Sequence, residues 1–273
     1  MSAIKISNNG LKPTSNVEAY DSNGDIVQAT VAGELPLTVK LNNIEIVTLM
    51  TLGTRPEELA LGYLRNQNII SNLDDVKSIN VDWKKEIAEV EVKNQDINDI
   101  LEKIKNKTIT TGCGQGTMFS CTLDKLYDEK LPNKEITSQQ IFNILTLITK
   151  HNDIYKKAGA VHGCAICGKD KVHEFVEDVG RHNAADTLAG IMWINQIEGD
   201  DKIFYTTGRL TSEIVMKVKN MKIPILLSRS GVTQMGIELA KDLNVTMIAR
   251  ATQRSFLVYN NSSNIIYNGT KKE

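Results

Sequence analysis

Ile203-Phe204-Tyr205-Thr206-Thr207-Gly208-Arg209, Ile225-Leu226-Leu227-Ser228-Arg229-Ser230-Gly231 and Val245-Thr246-Met247-Ile248-Ala249 follow one pattern. Each begins as a short run of apolar and β-branched residues, as a buried strand requires. The first two runs end in a loop of glycine, hydroxyl and arginine. Helix-length segments follow those loops, from about Ser212 and about Thr233. Strands alternating with helices predict two successive right-handed βαβ units and a parallel sheet.

Upstream, Thr137 and Gln140 have the spacing of a capping box, and Ile141, Ile144, Leu145 and Ile148 form an apolar stripe behind it. Lys130-Leu131-Pro132-Asn133-Lys134 reads as a boundary. Before it the pattern changes to short alternating runs. Ile44 to Met50 reads as a buried strand. Ile79-Val81-Trp83 and Ala88-Val90-Val92 read as a hairpin turning at Lys84-Lys85-Glu86. Thr54, Pro56 and Glu57 predict a helix start, with Leu59, Tyr63 and Leu64 on its inner face. The expected organisation is an α+β domain over 1–110, a mobile cysteine loop and connector over 111–135, and an α/β domain over 136–273. The polar tail from Asn260 is expected to fray.

The 273 residues suffice for one large or two smaller domains, and 41% apolar with 24% charged residues is ordinary for a globular protein. A net charge of −1 gives no basic field for nucleic acid. No apolar run approaches the roughly 20 residues that span a bilayer, and the first ten residues lack a secretory apolar region. The expectation is a cytoplasmic protein with neither a nucleic-acid nor a membrane partner. The four cysteines, Cys113, Cys121, Cys164 and Cys167, are too few for a disulfide scaffold and read as thiols, ligands or catalytic groups.

Thr110-Thr111-Gly112-Cys113-Gly114-Gln115-Gly116 sets one thiol among glycines. Such a loop approaches other molecules closely and packs no core. Backbone N–H groups or a nearby cation would favour the thiolate. From chemistry alone the thiol is a nucleophile or sulfur carrier, a ligand, or a linker residue. Cys164-Ala165-Ile166-Cys167 is open to three readings: small residues of a buried strand, an auxiliary thiol pair, or half of a zinc site completed by His162, His173 or the Cys113/Cys121 loop. The zinc deaminase pattern fails, because no glutamate lies two positions after His162 and no proline precedes Cys164. Glu177-Asp178-Val179-Gly180-Arg181-His182-Asn183-Ala184 gathers acid, guanidinium, imidazole and amide at a strand-to-helix turn. It reads as an anion-binding site or as an elaborate helix cap in which Asp178 pairs with Arg181. The loops at Gly208-Arg209 and Ser228–Gly231, with Arg250 after the third strand, suit phosphate at the carboxyl ends of strands, though neither is a P-loop.

These residues together resemble the formate dehydrogenase accessory protein family, the FdhD sulfurtransferases, over nearly the whole chain. The resemblance is carried by Gly53-Thr54-Arg55-Pro56-Glu57-Glu58-Leu59-Ala60-Leu61-Gly62-Tyr63-Leu64 with Ile69-Ile70, and by residues 177–184. Thr207-Gly208-Arg209, Ile223-Pro224-Ile225-Leu226 and Phe256-Leu257-Val258-Tyr259 follow in order. It implies a cytidine-deaminase-like, three-layer α/β C-terminal domain without deaminase chemistry, and a homodimer. It implies a sulfurtransferase that takes persulfide sulfur from a cysteine desulfurase. That sulfur goes to the molybdenum or tungsten bis-guanine-dinucleotide cofactor before its insertion into formate dehydrogenase. The cofactor is cargo, and neither a resident cofactor nor a metal site is expected.

By the same resemblance Cys113 carries the persulfide. Many members have Cys-Gly-x-Cys-Gly in this loop, whereas here Gly116 replaces the second cysteine, so the second thiol is either dispensable or supplied by Cys121 as auxiliary thiol. The cofactor-binding segment maps to Ile248-Ala249-Arg250-Ala251-Thr252-Gln253, assisted by Arg181, His182, Gly208 and Arg209. The alternative function is a cofactor-binding chaperone that moves no sulfur. A zinc hydrolase using Cys164 and Cys167 is the third hypothesis.

Overall fold

The structure, a computed structural model, describes residues 4–93, 107–110, 116–119 and 130–267, with the backbone alone for the two short central stretches. Cys113 and Cys121 lie outside the described residues.

After the short β1 (Lys5–Ile6), strands β2 (Thr14–Tyr20) and β3 (Ile26–Ala32) form a separate hairpin. Strands β4 (Leu35–Leu41) and β5 (Ile44–Thr51) are joined by Asn42 and Asn43, both at positive φ, as the tightest hairpin turns demand. Helix α1 (Pro56–Asn66) precedes β6 (Val76–Asp82) and β7 (Ile87–Val92). Five strands make one sheet in the order β1-β6-β7-β4-β5. Its alternating residues Leu37, Val39, Leu41, Ile79, Val81, Ala88 and Val90 pack with Leu59 and Tyr63 of α1. The β6–β7 hairpin is the expected one, with Glu86 at positive φ in its turn.

Two expectations fail locally. Strand β5 is only half buried, because it forms the sheet edge: Ile46 is inside while Met50 is exposed. The Thr54–Glu57 capping box is not made. Arg55 is the N-cap residue, and Glu57 accepts hydrogen bonds from Ser7 Oγ and the Asn9 N–H, both at 2.6 Å. Glu57 thereby ties the N-terminal segment to the helix.

Strands β8 (Lys107–Thr110) and β9 (Gly116–Phe119) pair antiparallel, with Thr110 opposite Gly116. Gly116, expected in the mobile cysteine loop, begins a strand. Beyond β10 (Ile136–Thr137), helix α2 (Ser138–Ile148) starts with the expected capping box: the Gln140 N–H donates to Thr137 Oγ1 and the Thr137 N–H to Gln140 Oε1. A one-turn helix α3 (Asp153–Ala158) leads to strands β11 (His162–Cys167) and β12 (Val172–Asp178), then to helix α4 (Arg181–Ile194). The β-strand/helix alternation follows as β13 (Ile203–Thr206), α5 (Ser212–Asn220), β14 (Ile225–Ser228), α6 (Gln234–Asp242) and β15 (Thr246–Ala249). Strands β16 (Leu257–Asn260) and β17 (Ile265–Ile266) close the described chain.

The second sheet has the order β12-β11-β13-β14-β15-β16. Strands β13, β14 and β15 are parallel as expected. The flanking strands are antiparallel, so the sheet as a whole is mixed. One face packs on α2 through Ile141, Leu145, Tyr205 and Leu227, the other on α4–α6 through Leu188, Val215, Leu239 and Phe204. The molecule is thus mixed α/β, with this sheet between two helical layers. The tail is held beyond Asn260: Ile265 is buried, β17 pairs with β10, and Asn260 Nδ2 donates to the Ala240 and Val245 carbonyls.

Helices α1 and α4 cross with backbones in contact. A side chain at Gly62 would overlap the Asp186 carbonyl, and one at Gly190 would overlap that of Glu58. Beside the crossing, the buried Asp186 carboxylate pairs with Lys217 and accepts from Asn66 Nδ2 at 2.7 Å. This polar junction links α1, α4 and α5.

Candidate functional site

The polar motif at residues 177–184 lies where the two sheets meet, and most of it is used in assembly. Glu177 accepts from the Ile154 and Tyr155 N–H groups, both at 2.9 Å, and so caps α3. Asp178 is buried and accepts four hydrogen bonds. Thr51 Oγ1 (2.5 Å) and the Leu52 N–H (3.1 Å) reach one oxygen; the Gly180 N–H (3.1 Å) and Asn183 Nδ2 (3.0 Å) reach the other. Asn183 Nδ2 also donates to the Met50 carbonyl at 2.6 Å. Burial raises the Asp178 pKa, and these hydrogen bonds oppose it. The motif therefore fastens β5 to the start of α4, as an elaborate cap would, with Asp178 held by Thr51, Leu52, Gly180 and Asn183.

What remains for a ligand is Arg181, His182 and the helix end itself. Gly180 is the N-cap of α4 and supplies no side-chain cap. A cleft of about 550 Å³ opens there, lined by His162, Gly180–Asn183 and, on the opposite wall, Val47–Met50 of β5 with Glu34. Arg181 is largely buried and lies against Gly208, where a side chain would meet its Cδ and force the arginine to shift. His182 Nε2 lies 2.9 Å from Glu213 Oε2. Burial holds His182 below the usual imidazole range, although the Glu213 carboxylate beside it opposes this.

Three loops at the carboxyl ends of β13, β14 and β15 are laced together. Ser228 Oγ donates to the Gly208 carbonyl at 2.7 Å. The Arg250 N–H donates to the Ser230 carbonyl at 2.8 Å, and the Ala251 N–H to that of Ser228 at 3.0 Å. Arg209, Arg229 and Arg250 are exposed at these loops, and Arg250 has φ +49°, an uncommon conformation for a side-chain-bearing residue. Within the expected binding segment, Ile248, Ala249 and Ala251 are buried, so they can offer a ligand only main chain. Arg250, Thr252 and Gln253 are exposed.

His162 links these features and was read from sequence only as a zinc partner. Its Nδ1 lies 3.3 Å from Thr207 Oγ1. Its ring borders both the cleft and a second pocket of about 290 Å³ that contains Tyr155, Phe175, Tyr205 and Arg229. Burial, then the charges of Arg181, His182 and Arg209, hold His162 below the usual imidazole range. The structure thus brings Arg181, His182, Gly208 and Arg209 together around a histidine outside the sequence-derived set. Only the β11–β12 register, which sets His162 opposite Asp178, reveals that placement.

Cys164 and Cys167 are buried in β11 and belong to cores on opposite faces of the sheet. They can neither bridge nor chelate together, and burial pushes both thiols up to about 12. Among the described residues, no three His, Cys, Asp or Glu side chains converge as a metal-holding group, and no helix is long and apolar enough to cross a membrane.

The chain is similar to proteins named sulfur carrier protein FdhD. That of Staphylococcus haemolyticus is 31% identical over 89% of this chain and 92% of its own. That of Staphylococcus aureus is 33% identical over 85% and 88%, and that of Bacillus licheniformis 31% over 90% and 94%. The fold matches a crystal structure described as a formate dehydrogenase accessory protein from Desulfotalea psychrophila. The TM-score is 0.73 at 23% identity, covering 93% of this chain and 98% of that one. Residues 32–266 match the model of the FdhD/NarQ family, and the chain belongs to that family.

Proposed function

We propose that this protein is a sulfur carrier serving formate dehydrogenase, and that it acts as a persulfide sulfurtransferase. The single observation carrying the reading is the cleft at the α4 N-terminus, lined by Arg181 and His182 with the Arg209 charge close to His162, in a chain whose relatives are named sulfur carriers. Guanidinium groups, hydroxyls and free N–H groups suit phosphates. The cargo is the molybdenum or tungsten bis-guanine-dinucleotide cofactor, with no resident cofactor.

Cys113 is the acceptor. Its thiolate attacks the terminal sulfur of a cysteine desulfurase persulfide. The donor S–S bond breaks, a new S–S bond forms on Cys113, and the donor cysteine leaves as thiolate. The terminal sulfur would then pass to the reduced cofactor metal, which gives up two electrons so that the sulfur arrives as a sulfido ligand and Cys113 leaves as thiolate, with Cys121 as auxiliary thiol. Arg181, His182, Arg209 and the 248–253 segment hold the cofactor for this second step, after the donor has left. The cytoplasm, where thiols stay reduced, and a homodimer complete the reading.

Incubation with a cysteine desulfurase and cysteine, followed by mass spectrometry, tests it. The expected result is a gain of one sulfur on the peptide containing Cys113, absent from Cys113→Ser, which also fails to mature formate dehydrogenase. If Cys113→Ser matures the enzyme normally while Arg181→Ala does not, the protein is a cofactor-binding chaperone instead.

A further inference from the structure

One wall of the 550 Å³ cleft is a strand edge, and its main-chain polar groups can be assigned from the register. Strand β4 lies between β5 and β7. The Thr38 N–H donates to the Glu86 carbonyl on the β7 side, at 2.7 Å. In an antiparallel pair, opposite residues are alternately bonded and non-bonded to each other, and a residue's N–H and C=O point the same way. Thr48 stands opposite Thr38, so its N–H and C=O point away from β4, toward an edge that is open among the described residues. Two residues on, Met50 stands opposite Pro36, which has no N–H to exchange. The Met50 carbonyl accordingly accepts from Asn183 across the cleft end, and its N–H points the same way. Strand β5 therefore offers the cleft two donors and one acceptor in strand spacing: Thr48 N–H, Thr48 C=O and Met50 N–H. The Thr48 and Met50 side chains are exposed beside them.

We propose that this edge is a docking strand for an extended peptide segment of the sulfur-donating protein, which adds to the five-stranded sheet beside β5. The inference rests on the sulfur-carrier reading above. Two features select this occupant. Main-chain pairing along an open edge recognises an extended chain rather than a small molecule. The facing wall, Arg181 with the α4 N-terminus, whose N-cap Gly180 brings no side chain, favours a negative group on that chain. A persulfide or an acidic side chain supplies it. The segment would lie with its main chain on β5 and its anionic group toward Arg181, with Glu34 as the acidic residue lining the cleft. Asn183 blocks the Met50 carbonyl and so limits how far along β5 the segment can pair.

The test uses the full chain and a cysteine desulfurase, with hydrogen exchange read at single amides. Adding the desulfurase should slow exchange at Thr48 and Met50 and leave Leu49, bonded toward β4, unchanged. The Thr48→Pro variant removes the outward N–H while sparing the β4 ladder, and proline is tolerated at such edge positions. Losing one or two such hydrogen bonds should raise the desulfurase concentration for half-maximal sulfur on Cys113 about tenfold. Unchanged exchange at Thr48 and Met50, or an unchanged half-maximal concentration in a folded T48P protein, overturns the proposal. Protection that appears on concentrating the protein alone also overturns it and assigns the edge to a second copy. A wild-type protein that gains no sulfur overturns the carrier reading instead, and the exchange measurement still decides whether the donor docks on β5.

Discussion

At the residue scale, Asp178 shows why a polar motif of high density need not be a binding site. Each of its oxygens accepts two hydrogen bonds, one of each pair from a backbone N–H that can only donate. Asparagine would present an N–H₂ group to one of those pairs whichever way it turned. We expect Asp178→Asn to destabilise the fold by about 1–3 kcal/mol for each donor left unpaired. Urea denaturation would show this, and a midpoint equal to the wild type would contradict the assignment. The loss should open the junction of β5 with α4 and widen the cleft. Arg181 and His182 were legible as residues of a helix start, because a helix N-terminus with cations has a recognisable sequence form, and the structure sets both on the cleft. His162 was not, because its neighbours Thr207, Arg181 and Arg209 come from other strands and loops.

At the element scale, local signals were read correctly where local forces govern. Thr137 and Gln140 form their capping box because nothing else competes for their side chains. Thr54 and Glu57 have the same spacing, yet Glu57 is taken by Ser7 and Asn9, about fifty positions away in sequence. The parallel order of β13, β14 and β15 followed from strand–helix alternation. The antiparallel flanks and the paired tail depend on long-range register, which periodicity does not encode. The α1–α4 crossing was likewise invisible, since Gly62 and Gly190 look like weak helix residues until the helices are packed. There the backbones touch, and an added methyl group meets main-chain atoms that cannot rotate aside. Gly190→Ala should cost about 1–3 kcal/mol or more through overpacking. Gly231→Ala, with open space around it, should be near neutral. Equal denaturation midpoints for the two variants would contradict this account of the crossing.

At the scale of the whole molecule, the two sheets are bound by groups whose protonation matters, so stability should report on pH. His162 and His182 are both held below the ordinary imidazole value of 6.5, chiefly by burial. As pH falls below about 7, the unfolded chain protonates these rings while the folded protein resists. The unfolded state then binds more protons, and stability declines until the pH reaches the folded values. Asp178 and Glu58 are shifted the other way, raised by burial. They take up protons first in the folded state, so their contribution opposes the decline toward the carboxylate range. Urea midpoints should therefore fall between about pH 7.5 and pH 5.5, the span in which free imidazole titrates. His162→Gln should flatten part of that slope, because glutamine can still bond Thr207 but does not titrate. A wild-type midpoint that stays level or rises over this span would mean that the histidines titrate normally, and that the cleft is more solvated than the packing around His162 and His182 requires.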